Sequence, residues 1–138
     1  GACLAGMAFA NAPVGAVHAL AYPLGARFHI PHGLSNSLVL AAVMRFNQQS
    51  AAPLYAELAT ILLPDVQGSV NGRSSALIDY LQALPDHLNL PTRLRDVGIG
   101  EDDLEAIAHD ASQQTRLLGN NPRELSLDDI RAIYRQVF

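Results

Sequence analysis

Apolar positions recur at helical spacing along most of this chain, and prolines and glycines cut the pattern into segments. A first helix is predicted from Ala2 to Asn11, interrupted by Ala12-Pro13. A second is predicted from Val14 to Leu24, where Val14, Val17, His18, Ala21 and Leu24 share one stripe and Gly25 supplies a C-cap. Arg27 to Gly33 reads as an extended loop, because a residue before proline avoids the α region. A third helix is expected from Ser35 or Asn36 to Phe46, with Leu38, Val39, Ala42 and Val43 inward. A fourth starts near Pro53 and runs to Leu63, turning Leu54, Leu58, Ile61 and Leu62 inward. After a turn region from Pro64 to Gly72, a fifth helix spans Ser74 to Leu84. Asp102 and Asp103 favour the N-terminus of a sixth, whose apolar face carries Leu104, Ile107, Ala108 and Ala111. Gly119-Asn120-Asn121-Pro122 marks a loop, and Ser126 with Asp129 forms a loose capping box for a last helix to Phe138. The pattern predicts a single all-α domain over residues 1–138, with six to seven helices.

Composition narrows the picture. Alanine and leucine contribute 21 residues each, and aromatic residues only 6%, which argues against an all-β fold. The net charge of −4 includes nine bases, all arginine and all scattered, so no basic stripe exists for a phosphate backbone. Nucleic-acid binding is disfavoured. A lone cysteine, Cys3, excludes an internal disulfide and fits a reducing, cytoplasmic setting. No apolar run reaches the roughly 18 to 20 residues that cross a bilayer, so no membrane partner is expected. Residues 1–46 contain Arg27 and Arg45 but no carboxylate. A surface helix normally carries charge on its wet face, so this stretch is expected to be covered by another domain or by self-association.

Chemistry concentrates in the histidines. His87 and His109 lie among charged residues and read as surface positions. His18 sits on an apolar helical stripe, while His29 and His32 flank Pro31 in a loop that ends at Gly33. A lone buried histidine is usually a hydrogen-bonded core residue, but a second in a rigid loop raises the prospect of metal ligation. Three strings then matter together: Gly6-Met7-Ala8-Phe9-Ala10-Asn11-Ala12, Gly15-Ala16-Val17-His18-Ala19-Leu20-Ala21-Tyr22-Pro23-Leu24-Gly25, and Pro31-His32-Gly33-Leu34-Ser35-Asn36. With the His-x13-His spacing from His18 to His32 and the tail Gly119-Asn120-Asn121-Pro122-Arg123-Glu124, the chain resembles the iron-containing (group III) alcohol dehydrogenases. It resembles the C-terminal part of their helical metal-binding domain.

The resemblance implies a divalent metal, iron or zinc, held by one Asp and three His, of which the last two match His18 and His32. It implies hydride transfer between a primary alcohol or aldehyde and NAD(P), with the metal polarising the substrate oxygen. Phe9 matches a position lining the substrate pocket, and Leu117 and Leu118 match a segment closing its far side; ordinary core packing is the competing reading of all three. Tyr22 stands where many members carry a further histidine, four residues after His18, and its hydroxyl is a candidate donor to substrate or cofactor. His29 is read as outer-layer or structural.

Other family features are not found. No Asp-x-x-x-His occurs to supply the first two ligands, and Gly98-Ile99-Gly100 lacks the third glycine of a dinucleotide-binding turn. The N-terminal α/β dinucleotide-binding domain is therefore expected to lie outside these residues, and the 138-residue chain alone is expected to be inactive. Two other readings are a maleylacetate reductase-like enzyme and a stand-alone, inactive helical interaction module. The sequence after His32, Gly33-Leu34-Ser35-Asn36, departs from the usual maleylacetate reductase motif.

Overall fold

The computed structural model describes all residues from Gly1 to Phe138 and contains seven α-helices and no β-strand. They are α1 (Ala2–Asn11), α2 (Ala16–Phe28), α3 (His32–Leu62), α4 (Val70–His87), α5 (Leu104–Ser112), α6 (Thr115–Leu118) and α7 (Leu127–Gln136). Short 3-10 turns at Leu94–Val97 and Glu101–Asp103 link α4 to α5. The all-α expectation holds and every predicted helical segment is helical, but the third and fourth are fused and the short α6 is not among those predicted. Several boundaries also differ.

α2 runs through Gly25 to Phe28, and its C-cap is His29, in the left-handed region at φ 56°. The His29 N–H closes the last turn on the Gly25 carbonyl at 3.1 Å, so Gly25 is a helix interior residue rather than the cap. Burial explains the extension: Pro23 and Leu24 are both packed inward, holding the chain helical beyond the point where glycine permits an exit. The expected loop from Arg27 to Gly33 shrinks to His29-Ile30-Pro31, because Pro31 caps α3 and places His32 and Gly33 in its first turn.

The third and fourth predicted helices are one 31-residue helix that passes through Pro53. Proline there withholds a donor from the Gln49 carbonyl, but both residues are exposed, so water replaces the lost bond. The face that packs is made of alanines, Ala51, Ala52, Ala56 and Ala59, rather than the larger residues expected inward. Leu54, Leu58, Ile61 and Leu62 point outward, at 63%, 48%, 72% and 52% exposure. Small side chains let α4 lie close along α3, which a leucine stripe would forbid. α4 is itself longer at both ends than predicted, starting from Ser69, whose hydroxyl accepts from the Gly72 N–H at 3.1 Å, and including Pro85.

One core joins α2, the first half of α3, α5 and α7 around Leu20, Leu24, Val39, Val43, Ile107, Ile130 and Tyr134. A smaller one, Met44, Ala59, Leu77 and Ile78, seals the α3–α4 hairpin. The capping box of α7 forms as predicted: the Ser126 hydroxyl accepts from the Asp129 N–H, and the Asp129 carboxylate accepts from the Ser126 N–H at 2.9 Å. α1 stands apart. None of its residues is buried, Leu4, Met7 and Phe9 are 71%, 60% and 59% exposed, and its axis is bent by 104° from α2. No single helix is long and apolar enough to cross a membrane.

A candidate metal site at the start of α2 and α3

The tight turn between α2 and α3 brings three aromatic side chains together. His18 and Tyr22 lie one turn apart on α2, and His32 opens α3 beside them. The ring centres of His18 and His32 are 5.1 Å apart, and Tyr22 lies 6.3 Å from His18 and 6.1 Å from His32. His18 is not on the buried stripe that periodicity suggested. The buried face of α2 is Ala16, Ala19, Leu20, Ala21, Pro23 and Leu24, which turns His18 to a half-buried edge and leaves Tyr22 42% exposed.

The packing beneath these residues is polar and specific. Asn121 accepts from the Ala16 N–H at 3.4 Å, at the start of α2. The same carboxamide pairs reciprocally with Asn47 of α3, at 2.9 and 2.7 Å. Asn120 donates to the Val14 carbonyl at 3.2 Å. The Asn-Asn-Pro loop thereby clamps the N-terminus of α2 to α3. Further along α2, the buried Tyr134 hydroxyl donates to the Leu20 carbonyl at 2.6 Å, two residues from His18. At α3, Ser35 donates from its hydroxyl to the Ile30 carbonyl at 3.2 Å, closing the loop that leads into His32. Sequence reasoning used none of Ser35, Asn47, Asn121 and Tyr134 as site supports. The Asn-Asn-Pro string is legible in the sequence as a loop and as part of the family resemblance, but not as a clamp, since its partners lie far away along the chain.

Electrostatics favour a neutral His18. Partial burial, and then the neighbouring His32, hold the His18 imidazole below its ordinary value of 6.5. A neutral ring keeps the lone pair that a metal ligand needs. Two imidazoles bound through nitrogens at ~2.1 Å to one tetrahedral ion have ring centres roughly 5 Å apart, which matches the separation found here. Yet no group of three or more His, Cys, Asp or Glu side chains converges at this or any other place. The pair fits a divalent cation as part of a ligand set and not as a complete one.

The other predicted site residues are dispersed. Phe9 lies on the exposed α1, away from the main core. Leu117 and Leu118 are on α6, partly buried against the main core. Beside Tyr22, a shallow depression of about 230 Å³ is lined by Pro23, Ala26, Asp110, Gln113 and Gln114. His29 is exposed at the α2 cap, and His87 and His109 are exposed as expected.

The family model for the C-terminal part of the Fe-containing alcohol dehydrogenases matches residues 1–138. The chain belongs to that family. It is 37% identical over 135 residues to the lactaldehyde reductase of Escherichia coli K12, covering 97% of this chain and 35% of that protein. It is 41% identical over 147 aligned positions to a long-chain-alcohol dehydrogenase of Geobacillus thermodenitrificans, again spanning 35% of the relative. The crystal structure of a 1,3-propanediol oxidoreductase superposes with a TM-score of 0.91 at 34% identity, covering 98% of this chain and 35% of that one. An alcohol dehydrogenase from Oenococcus oeni gives 0.90 at 30% identity, with the same coverage. The chain thus spans about a third of the length of these family members, and it has their C-terminal helical fold.

Proposed function

We propose that this chain supplies two ligands of the metal-dependent active site of an NAD(P)-linked alcohol dehydrogenase or aldehyde reductase. The observation that carries the reading is the His18–His32 pair, with ring centres 5.1 Å apart in a chain whose whole length matches the family model. A divalent cation at this place, Fe2+ from the family's character or Zn2+, supplies a Lewis acid for the alcohol or aldehyde oxygen. His18 and His32 hold that cation from one side, and an Asp and a third His outside these residues complete the set. Tyr22, one turn from His18 and open to solvent, donates its phenolic proton in a hydrogen bond to substrate or cofactor.

Relatives named for lactaldehyde, long-chain alcohols and 1,3-propanediol support a primary alcohol or aldehyde as the substrate class. We assign nicotinamide binding to an α/β domain outside this chain, and Phe9, Leu117 and Leu118 to the substrate wall that forms when residues 1–46 pack on it. The 138 residues alone are inactive on this reading, and the enzyme works in the cytoplasm. Metal analysis of the intact protein tests it. Wild type retains stoichiometric divalent metal after dialysis, while His18→Ala and His32→Ala each lose it together with activity. Full metal retention in either variant, with the fold intact, removes that histidine from the site.

A further inference from the structure

Between the first turns of α3 and the end of α4 runs an open groove of about 230 Å³. Gly33 and Leu40 line it from α3, Leu81 and Leu84 from α4, and Leu88 and Leu90 from the chain just beyond α4. A tight helix ending builds the last wall. Asn89 takes the left-handed backbone at φ 54°, its N–H bonds to the Asp86 carbonyl at 3.0 Å, and the Leu90 N–H bonds to the Pro85 carbonyl at 2.9 Å. This is a Schellman motif, which turns the chain back over the last turn of α4 and brings Leu90 to the same groove as Leu84. Asn36 and Ser37 are the only polar side chains along the groove, and no charged side chain lines it. Leu88 and Leu90 stay exposed, so their apolar surface gains by being covered.

The groove starts at the candidate metal site. Gly33 follows His32 directly, and Asn36, on the groove's edge, lies 3.0 Å from the His32 ring. A Cβ built on Gly33 meets no atom within 4 Å, so no other part of the chain fills the groove at this end. A chain of methylenes suits such a surface: it needs no hydrogen bond, carries no charge, and is stabilised by every CH2 withdrawn from water. We propose that this groove holds the hydrocarbon tail of a primary alcohol or aldehyde whose oxygen lies at the His18–His32 site. That the tail belongs to a substrate rests on the dehydrogenase reading above, whereas the groove's affinity for an alkyl chain does not.

Two measurements on the intact protein test this. The first is kcat/KM for straight-chain aldehydes from acetaldehyde to octanal, each expressed relative to acetaldehyde so that any loss of metal in a variant cancels. Wild type is expected to gain about fourfold for each methylene that enters the groove, the worth of one buried CH2. Gly33→Leu, which puts a side chain into the open end, and Leu88→Ser, which strips an exposed wall, are each expected to lose most of that gain. The second measurement follows leucine methyl signals of the metal-stripped protein as 1-octanol is added, with Leu84, Leu88 and Leu90 identified by substitution. Their signals are expected to shift in wild type and to stay in place in Gly33→Leu. A flat chain-length dependence in wild type, or a steep one that neither variant alters, overturns the proposal. So do methyl signals that ignore octanol, the result expected if another segment of the intact protein fills the groove. If wild type reduces none of the aldehydes, the dehydrogenase reading fails, and the methyl titration alone then decides: shifts at Leu84, Leu88 and Leu90 uphold the alkyl-chain site, and their absence removes it.

Discussion

At the scale of single residues, the site depends on polar groups that are buried and paired. Tyr134 is the clearest case: its ring is fully buried in the main core, and its hydroxyl satisfies the Leu20 carbonyl on the helix that carries His18. Replacing it by phenylalanine removes a buried hydrogen bond from a carbonyl that the α2 ladder still serves, at a cost of about 0.5–1.5 kcal/mol. Chemical denaturation of Tyr134→Phe should show that loss with little change in the dependence on denaturant. The same residue sets a pH response. Burial pushes the Tyr134 phenol well above its ordinary value of 10.0, so above pH 10 the unfolded chain loses a proton that the folded chain keeps. Stability is therefore full below pH 10 and falls as pH rises beyond it. Tyr134→Phe should flatten this fall without abolishing it, because burial raises the half-buried Tyr55 in the same direction.

Helices here override their own punctuation wherever packing is strong enough. Gly25 has the composition of a cap and the position of a helix interior, and a Cβ placed on it meets only the Ile30 carbonyl oxygen, at 3.5 Å. That is ordinary contact, so Gly25→Ala should stabilise the protein by about 0.5–1 kcal/mol, measured as a raised melting temperature. An unchanged or lowered melting temperature would mean that α2 is distorted near Pro23 in a way that alanine cannot follow. The fused α3 follows the same logic in reverse. Its leucine stripe looks inward by periodicity, but alanines make the closer approach to α4 and win the interior. Periodicity identifies two faces of such a helix, and volume decides which one is buried.

At the scale of the whole molecule, apolar surface is distributed unevenly. α1 exposes Leu4, Met7 and Phe9, and the far end of α3 exposes Leu54, Leu58, Ile61 and Leu62, while of the site residues His18 is half-buried and Tyr22 and His32 are exposed. The carboxylate-free stretch from residue 1 to 46 contains both the best-buried helix, α2, and the least buried, α1. Deleting residues 1–12 should leave the melting temperature of the 138-residue chain within ~3 °C, since the deletion removes no buried residue. It should also reduce concentration-dependent association seen by sedimentation velocity, because large exposed apolar patches drive self-contact. A large fall in melting temperature would show instead that α1 packs on the remainder in solution.

The sequence by itself determined the helical class, the approximate place of every helix but α6, the capping box at Ser126, and the family through the strings around His18 and His32. These are local properties: periodicity, cap chemistry and motif spacing are written within a few turns of chain. Tertiary structure decided that His18 leaves the buried stripe, that two predicted helices become one, and that Asn121 and Tyr134 anchor α2 from the distant C-terminal segment. It also decided that Asn36 faces His32, a neighbour at helical spacing that becomes visible once His32 is known to lie inside α3 rather than in a loop. Each of these depends on which surfaces meet and how closely. That is settled by volume and by the pairing of buried polar groups over the whole chain, and no local pattern encodes it.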